Sequence, residues 1–300
     1  MKKLSIVVVS FAFVSCLYGQ NGRQPIRVLI VDGYSNHDWR QTTAITKRIL
    51  EEAGLFEIAV TTAPATTNED SLSAWDPDFK RYDVIIQNTN NIDNKALHWP
   101  RKAEEKLERY VASGGGLYIL HSANNAFPHW KEYDKMIGLA WRPKEVGFAM
   151  EIDSNKNIVR IPPGEGSGTS HGKRSDALIH ILNRHPINHD FPAQWRTASM
   201  ELYTYARGPA KNITVLSYAF DSATNKNWPV DWVVKYGKGR VYNSSMGHLW
   251  KGDIYPVAWR CVGFQTTLIR AVEWLAKGKV TYPLPENFPN DEVRLRGEND

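Results

Sequence analysis

Short apolar runs alternate with amphipathic stretches over the first half of the chain. Residues 26–31 (IRVLIV) form one such run, rich in β-branched side chains, and they end in a polar, turn-rich segment at 32–38. A helical pattern follows, with Ala44, Ile45, Ile49 and Leu50 on one face and Gly54 as a C-terminal stop. Residues 56–60 predict a second strand, and residues 82–86 a third that ends in the polar stretch 87–91. Residues 101–113 predict a helix, with Pro100 suited to its first position and Gly114 beyond its end. Residues 117–120 predict a fourth strand, which leads directly into His121 and Ser122. Strands that are apolar on both faces and alternate with helices imply a parallel sheet covered on both sides. The fold class is therefore α/β.

The second half is less regular. Alternation over 147–160 predicts strands, and the Gly/Pro/Ser-rich segment 162–172 predicts an exposed loop. Further strands are predicted at 201–207, 213–220, 232–236 and 240–244, with Tyr236-Gly237-Lys238-Gly239 as a tight turn between the last two. An amphipathic helix is expected over 262–276, using Phe264, Leu268, Ile269, Val272 and Leu275. No internal repeat, linker or low-complexity segment interrupts the chain. Residues 21–280 are thus expected to form one domain, followed by a polar, surface-hugging tail at 281–300.

The N-terminus follows another pattern. Lys2 and Lys3 precede an apolar run at 4–14, and Leu17-Tyr18-Gly19 leads to a cleavage position near Gln20. This is the layout of a secretory signal peptide over residues 1–20, too short to span a bilayer; a buried N-terminal strand is the competing reading. Export would place the protein in the periplasm or outside the cell. Phe13-Val14-Ser15-Cys16 also loosely fits a lipoprotein signal, with Cys16 as the lipid anchor. No other stretch is apolar for long enough to be a transmembrane helix.

Composition changes the picture in three respects. Hydrophobic residues at 42% and charged residues at 23% are a globular balance. With two cysteines, one of them Cys16, Cys261 is left alone and a disulfide framework is excluded. The net charge of +5 is scattered among acidic residues, without the clustered basic stripe that nucleic-acid binding requires. The eleven Trp suit either core packing or stacking on sugar rings.

In an open α/β sheet, ligands collect at the carboxyl ends of the strands. Segments 32–39, 88–91 and 121–125 fall there, and Met246-Gly247-His248 after the strand at 240–244 reaches the same rim. His37, His121 and His248 thus come from distant sequence toward one mouth, as metal ligands or as acid/base groups. Glu201 lies in an apolar context, where a buried carboxylate needs an arginine or a metal as partner. His185 precedes a proline and serves either the site or its own loop. Trp39, Trp130, Trp141 and Trp250 flank the rim, and His171 and Arg174 sit in or beside the Gly-rich loop as a candidate lid.

The strongest local signal is the stretch from Gly114-Gly115-Gly116 through Leu120-His121-Ser122-Ala123, a helix stop, a buried strand and a sharp turn. Where glutamine amidotransferase-like folds carry a nucleophilic cysteine, this chain has His121. Cysteine amidotransfer is excluded at this position, and Ser122 lacks the flanking glycines of a serine nucleophile elbow. Asn36-His37-Asp38-Trp39, His185-Pro186-Ile187, Glu201-Leu202-Tyr203 and the run from Pro229 through Tyr236-Gly237-Lys238-Gly239 to Met246-Gly247-His248 follow in order. Together these motifs resemble the ThuA-like (trehalose-utilisation) family from about residue 26 to residue 275. One departure is Met200, where the family often has an acidic residue before Glu201, so a carboxylate pair is not expected.

The resemblance implies a flavodoxin-like or class I glutamine amidotransferase-like fold. That fold is an open parallel sheet with helices on both faces, with additional β strands in the C-terminal half. It also implies a role in carbohydrate use, a disaccharide or an oxidised (3-keto) sugar being the expected small-molecule partner. The alternative is a non-catalytic carbohydrate-binding protein. His121, Glu201 and His248 are the expected catalytic groups, with His37, Asp38, Trp39, Ser122, Asn124, His185, Tyr203 and Trp250 against the substrate. A divalent metal such as zinc is expected on His37, His121 and His248.

Overall fold

The computed structural model describes residues 24–297 apart from Tyr255; the expected signal peptide, with Cys16 and Gln20, lies outside the described residues. The chain begins with β1 (Ile26–Asp32), α1 (Trp39–Glu52), β2 (Phe56–Thr62), α2 (Glu69–Ala74), β3 (Val84–Gln87), α3 (Arg101–Ala112) and β4 (Gly116–Leu120). There follow α4 (Lys131–Ile137), β5 (Ala149–Ile152), β6 (Ile158–Ile161), β7 (Ser170–His171), β8 (Ser175–Ile181), β9 (Gln194–Met200) and β10 (Tyr203–Thr204). The last elements are β11 (Ile213–Asp221), β12 (Lys226–Tyr236), β13 (Gly239–Ser244), α5 (Val257–Arg260) and α6 (Val262–Lys277).

The main sheet runs β2-β1-β3-β4-β13-β12-β11-β8-β9, with β5 and β6 added beside β12. β2, β1, β3, β4 and β13 are mutually parallel, and from β12 onward the pairing is antiparallel. Alternation along β1 shows why both faces must be covered. Val28 and Ile30 point into one core with α1 and α6, whereas Leu29 and Val31 point into the other with α3 and α4. The expected α/β fold, with helices on both faces and extra strands in the C-terminal half, is the one observed.

Several elements differ from expectation. Residues 201–207 do not form one strand: Tyr205 has φ 51°, which breaks the extended run, so Tyr203 and Thr204 pair with β7 while Arg207 bridges Ala140 separately. Arg207 sends its guanidinium to the carbonyls of the Gly-rich loop, Pro162 and Ser167 among them. β8, β9, α2 and α4 are additional to the predicted elements, and β12 begins before the expected residue 232. Segment 281–297 is pinned to the body. The buried Glu273 carboxylate accepts from Thr281 and Tyr282, and Val262 N–H donates to Arg294. Among the described residues no helix is long and apolar enough to cross a membrane.

Parallel pairing positions the site. Ser244 lies opposite Leu120 across β13 and β4, so the two strands end side by side and their following loops meet.

Candidate metal centre at the strand ends

Each histidine is aimed by its own strand-end loop. β1 ends at Gly33, where φ is +142° and a Cβ would lie 2.1 Å from the Ala63 carbonyl; only glycine fits. The chain then turns through Asn36 and His37, and Asp38 caps α1 by accepting from Gln41 N–H at 3.1 Å. His121 follows β4 directly with φ 39°, a left-handed value unusual for a side chain of this type. Gly247, at φ +96°, lets the loop after β13 fold back so that His248 faces the other two.

The three rings meet edge to face, with centroids 5.2 Å apart for His37 and His121, 4.8 Å for His37 and His248, and 5.2 Å for His121 and His248. Glu201 lies among them. Its Oε2 is 3.5 Å from His121 Nε2, and its Oε1 is 3.4 Å from His248 Nε2 and 3.4 Å from His171 Nδ1. One donor atom from each of His37, His121, Glu201 and His248 lies within 4.8 Å of all the others, and all four residues are buried.

Hydrogen bonds to the far ring nitrogens set the tautomers. His37 Nδ1 lies 2.8 Å from Asn36 Oδ1, which also accepts from Asn90 Nδ2 at 2.8 Å. An amide oxygen only accepts, so the proton sits on Nδ1 and the Nε2 lone pair is left; that Nε2 is buried without a hydrogen-bond partner. His121 Nδ1 donates to the Ser245 carbonyl at 2.9 Å, and its Nε2 accepts from the Tyr203 hydroxyl at 3.2 Å. The Arg174 guanidinium donates to His248 Nδ1 at 3.2 Å and to Asp253 at 2.9 Å.

Burial pushes the His37 imidazolium down to about 2, helped by the neighbouring histidines, and pushes His248 down to about 4. Burial alone would raise the Glu201 carboxyl, but the surrounding His121, His248 and His171 rings outweigh it and hold Glu201 below its ordinary value. Burial, with Glu201 adding to it, holds the Tyr203 hydroxyl well above its ordinary value and therefore protonated. His37 and His121, whose far nitrogens donate to the Asn36 and Ser245 oxygens, and the Glu201 carboxylate form a donor set suited to a divalent transition metal, whereas His248, accepting from Arg174 at Nδ1, carries its proton on Nε2 and would give it up to join them. The orphaned His37 Nε2 fits the same use.

A cavity of about 330 Å³ opens onto this cluster, walled by Asn36, Ile92, Asn125, Trp141, Arg174 and Trp250. Of the other expected residues, Tyr203 and Trp250 are at the cluster, and Trp250 meets the His37 ring edge to face at 5.0 Å. Asp38 is a helix cap, and Trp39 carries the Arg40 guanidinium 4.1 Å above its ring. The Ser122 hydroxyl pairs with Ser35 Oγ at 3.4 Å. Asn124 donates to the Leu139 carbonyl, and Trp130 is a core residue bonded to Glu108.

His185 is not brought to the cluster. Its ring packs on Trp274 at 4.5 Å and its Nδ1 accepts from Ile187 N–H. Trp274 precedes Leu275, which covers Gly116 at the start of β4, the opposite end of that strand from His121. His171, expected in a lid, instead contacts Glu201 through the pairing of β7 with β10. Asn36, Ile92 and Asn125 also line the cavity, though none is among the expected site residues. Asn36 belongs to the Asn36-His37-Asp38-Trp39 motif and Asn125 to the rim segment 121–125, whereas nothing in the sequence marks Ile92.

The fold and site together define a covered α/β sheet protein with a histidine–carboxylate centre at the carboxyl ends of its strands. The chain belongs to the ThuA family, whose model, described as trehalose utilisation, matches residues 27–275. A ThuA-like protein from Parabacteroides merdae is similar, at 30% identity and TM-score 0.84, over 91% of this chain and 98% of that one. A ThuA-like protein from Bacteroides uniformis shares the fold at 18% identity and TM-score 0.55, over 88% of this chain and 98% of its own. Among curated proteins, none matches this sequence.

Proposed function

We propose that this protein is an exported enzyme of carbohydrate utilisation that holds a divalent metal on His37, His121, Glu201 and His248. The observation that carries the reading is the buried meeting of these four donor groups, from four separate segments, at the floor of an open cavity. The family's link with trehalose utilisation supports a sugar as the ligand, and Trp141 and Trp250 supply aromatic walls for one. The basic and apolar N-terminal residues support export. An oxidised (3-keto) disaccharide or a product of one is the leading substrate, and hydrolysis, elimination or isomerisation the reaction class.

When bound, a divalent ion supplies Lewis-acid polarisation of a substrate oxygen. The chain's own groups supply the rest. His171 is half exposed at the cavity, and its Nδ1 donates to the Gly172 carbonyl, leaving Nε2 to take or give a proton. Tyr203, kept protonated by burial, sets its hydroxyl beside His121 Nε2, where it would donate to a ligand oxygen once that nitrogen holds the ion. Asn36, Asn90 and the Ser245 carbonyl fix ring orientation from behind.

The test is elemental analysis of the purified protein, dialysed without chelator, for the wild type and His121→Ala. About one metal per chain in the wild type and loss of it in the variant is the expected result. Loss of turnover on 3-keto disaccharides, with the melting temperature within a few degrees, should accompany it. Metal-free wild type overturns the metal assignment. Wild-type turnover by His121→Ala overturns the role given to His121, and sugar binding without turnover by the wild type overturns the enzyme assignment in favour of a sugar-binding protein that uses the same aromatic walls.

A further inference from the structure

A second cavity, also about 330 Å³, adjoins the one over the histidine cluster, and the two share Ile92, Asn125 and Trp141 as a common wall. Their linings differ in kind. The first chamber presents Arg174, Trp250 and the His/Glu cluster to a ligand. The second is walled by Ile92, Pro128, Trp141 and Pro143, and its buried polar side chains other than Asn125 are already committed within the fold.

Asn91 donates to the Leu97 carbonyl and accepts from Phe127 N–H. Arg142 is spent on Asp134 and on the carbonyls of Ala126 and Trp141. The Thr169 hydroxyl accepts from Arg142 N–H and donates its one proton among the surrounding Ala140, Arg142 and Tyr205 carbonyls. Lys95 is exposed at the rim. At the shared wall, Asn125 Oδ1 is buried with no hydrogen-bond partner.

A pyranose carries hydroxyls around its edge, and each one buried without a partner costs about 1–3 kcal/mol. The first chamber presents polar groups on several sides for those hydroxyls, whereas the second, with Asn91, Arg142 and Thr169 committed, presents polar side chains only at the Asn125 wall and the Lys95 rim. It does offer an apolar slot with an indole wall, and a cavity of about 150 Å³ already holds a benzene ring. We propose that the second chamber is a leaving-group subsite for an apolar, ring-sized aglycone. The substrate is then an aryl or similarly apolar glycoside whose sugar lies over the histidine cluster, with Asn125 Oδ1 accepting a hydroxyl at the junction. This inference rests on the carbohydrate reading of the first chamber and narrows it, replacing a second sugar with an apolar ring.

Titration calorimetry on the full-length folded protein decides it, using methyl, phenyl and glucosyl glucosides, each as both anomers and in native and 3-keto form. Burial of a phenyl ring should tighten binding about ten-fold or more over the methyl glycoside. Pro143→Asp, which places a carboxylate in the second chamber alone, should abolish that difference while leaving methyl glucoside affinity unchanged. Phenyl binding no tighter than methyl, or glucosyl binding tighter than phenyl, overturns the subsite while the carbohydrate reading stands. If no glucoside binds at all, the carbohydrate reading fails and the subsite fails with it. The wild-type comparison decides the matter even if the variant does not fold.

Discussion

Asn36 does two things with one oxygen. It accepts from His37 Nδ1 and from Asn90 Nδ2, so it fixes both the tautomer of the ring and the shape of the loop that carries it. Removing that acceptor frees the imidazole to rotate and to place its proton on Nε2, where the lone pair is needed. Partners behind a ligand histidine are worth about 10–100-fold in metal affinity. Asn36→Ala should therefore weaken zinc binding by roughly that factor, measured by competition with a chromophoric chelator, with little change in melting temperature. Unchanged affinity would mean that His37 is not a ligand. Asn36→Asp should retain most of the affinity, because a carboxylate oxygen can accept the same two hydrogen bonds.

At the scale of elements, β12 carries a carboxyl that the proposed chemistry does not use. Asp231 is fully enclosed between β11 and β13, accepting from the Ser217 and Tyr242 hydroxyls. Burial lifts its pKa from 3.8 to about 6, against the pull of those two hydrogen bonds. A folded-state pKa above the unfolded one gives stability that is complete below about pH 3.8 and is lost as pH rises through 6. The loss amounts to about 3 kcal/mol at most. Asp231→Asn cannot ionise, so its stability relative to wild type should improve by up to that amount between pH 4 and pH 7.5, read from urea denaturation at the two values. A constant difference across that range would place the Asp231 pKa elsewhere.

The same elements show what the sequence made legible. β1, β3 and β4 are buried on both faces, so their apolar runs are continuous and easily read. β8 and β9, SDALIHI and QWRTASM, mix exposed and buried positions without clean alternation, and nothing local marks them as strands. The histidines were legible because each follows, or closely follows, a readable strand. The contact of His171 with Glu201 depends on a two-residue pairing across the fold, for which no periodicity exists. His185 shows the converse, a motif residue whose neighbourhood is settled by packing on Trp274.

At the scale of the whole molecule, the start of the segment after α6 is held by a buried carboxylate, and its later residues by backbone bonds at Asn290, Arg294 and Arg296. Glu273 has no exposed surface and accepts from Thr281 N–H, Thr281 Oγ1 and Tyr282 N–H. Glu273→Ala leaves those donors unpaired and should cost about 3 kcal/mol. Amide hydrogen exchange should accelerate over 281–296 before the rest of the molecule responds, and the melting temperature should fall. Uniform acceleration along the chain would show instead that the segment and the body unfold as one unit.

β13 has a position in the sheet that is out of step with its position in the chain. It is the last strand to be synthesised, yet it lies between β4 and β12 and joins the parallel half to the antiparallel half. Until residue 244 has left the ribosome, β4 is an unpaired edge of apolar residues, the kind of surface that recruits other chains. His121 also waits for the Ser245 carbonyl that orients it. The growing polypeptide is thus vulnerable between the emergence of residue 120 and that of residue 244, and gains its donor cluster only after that. A fragment stopped before residue 239 should aggregate and carry no metal, even though it already contains His37, His121 and Glu201.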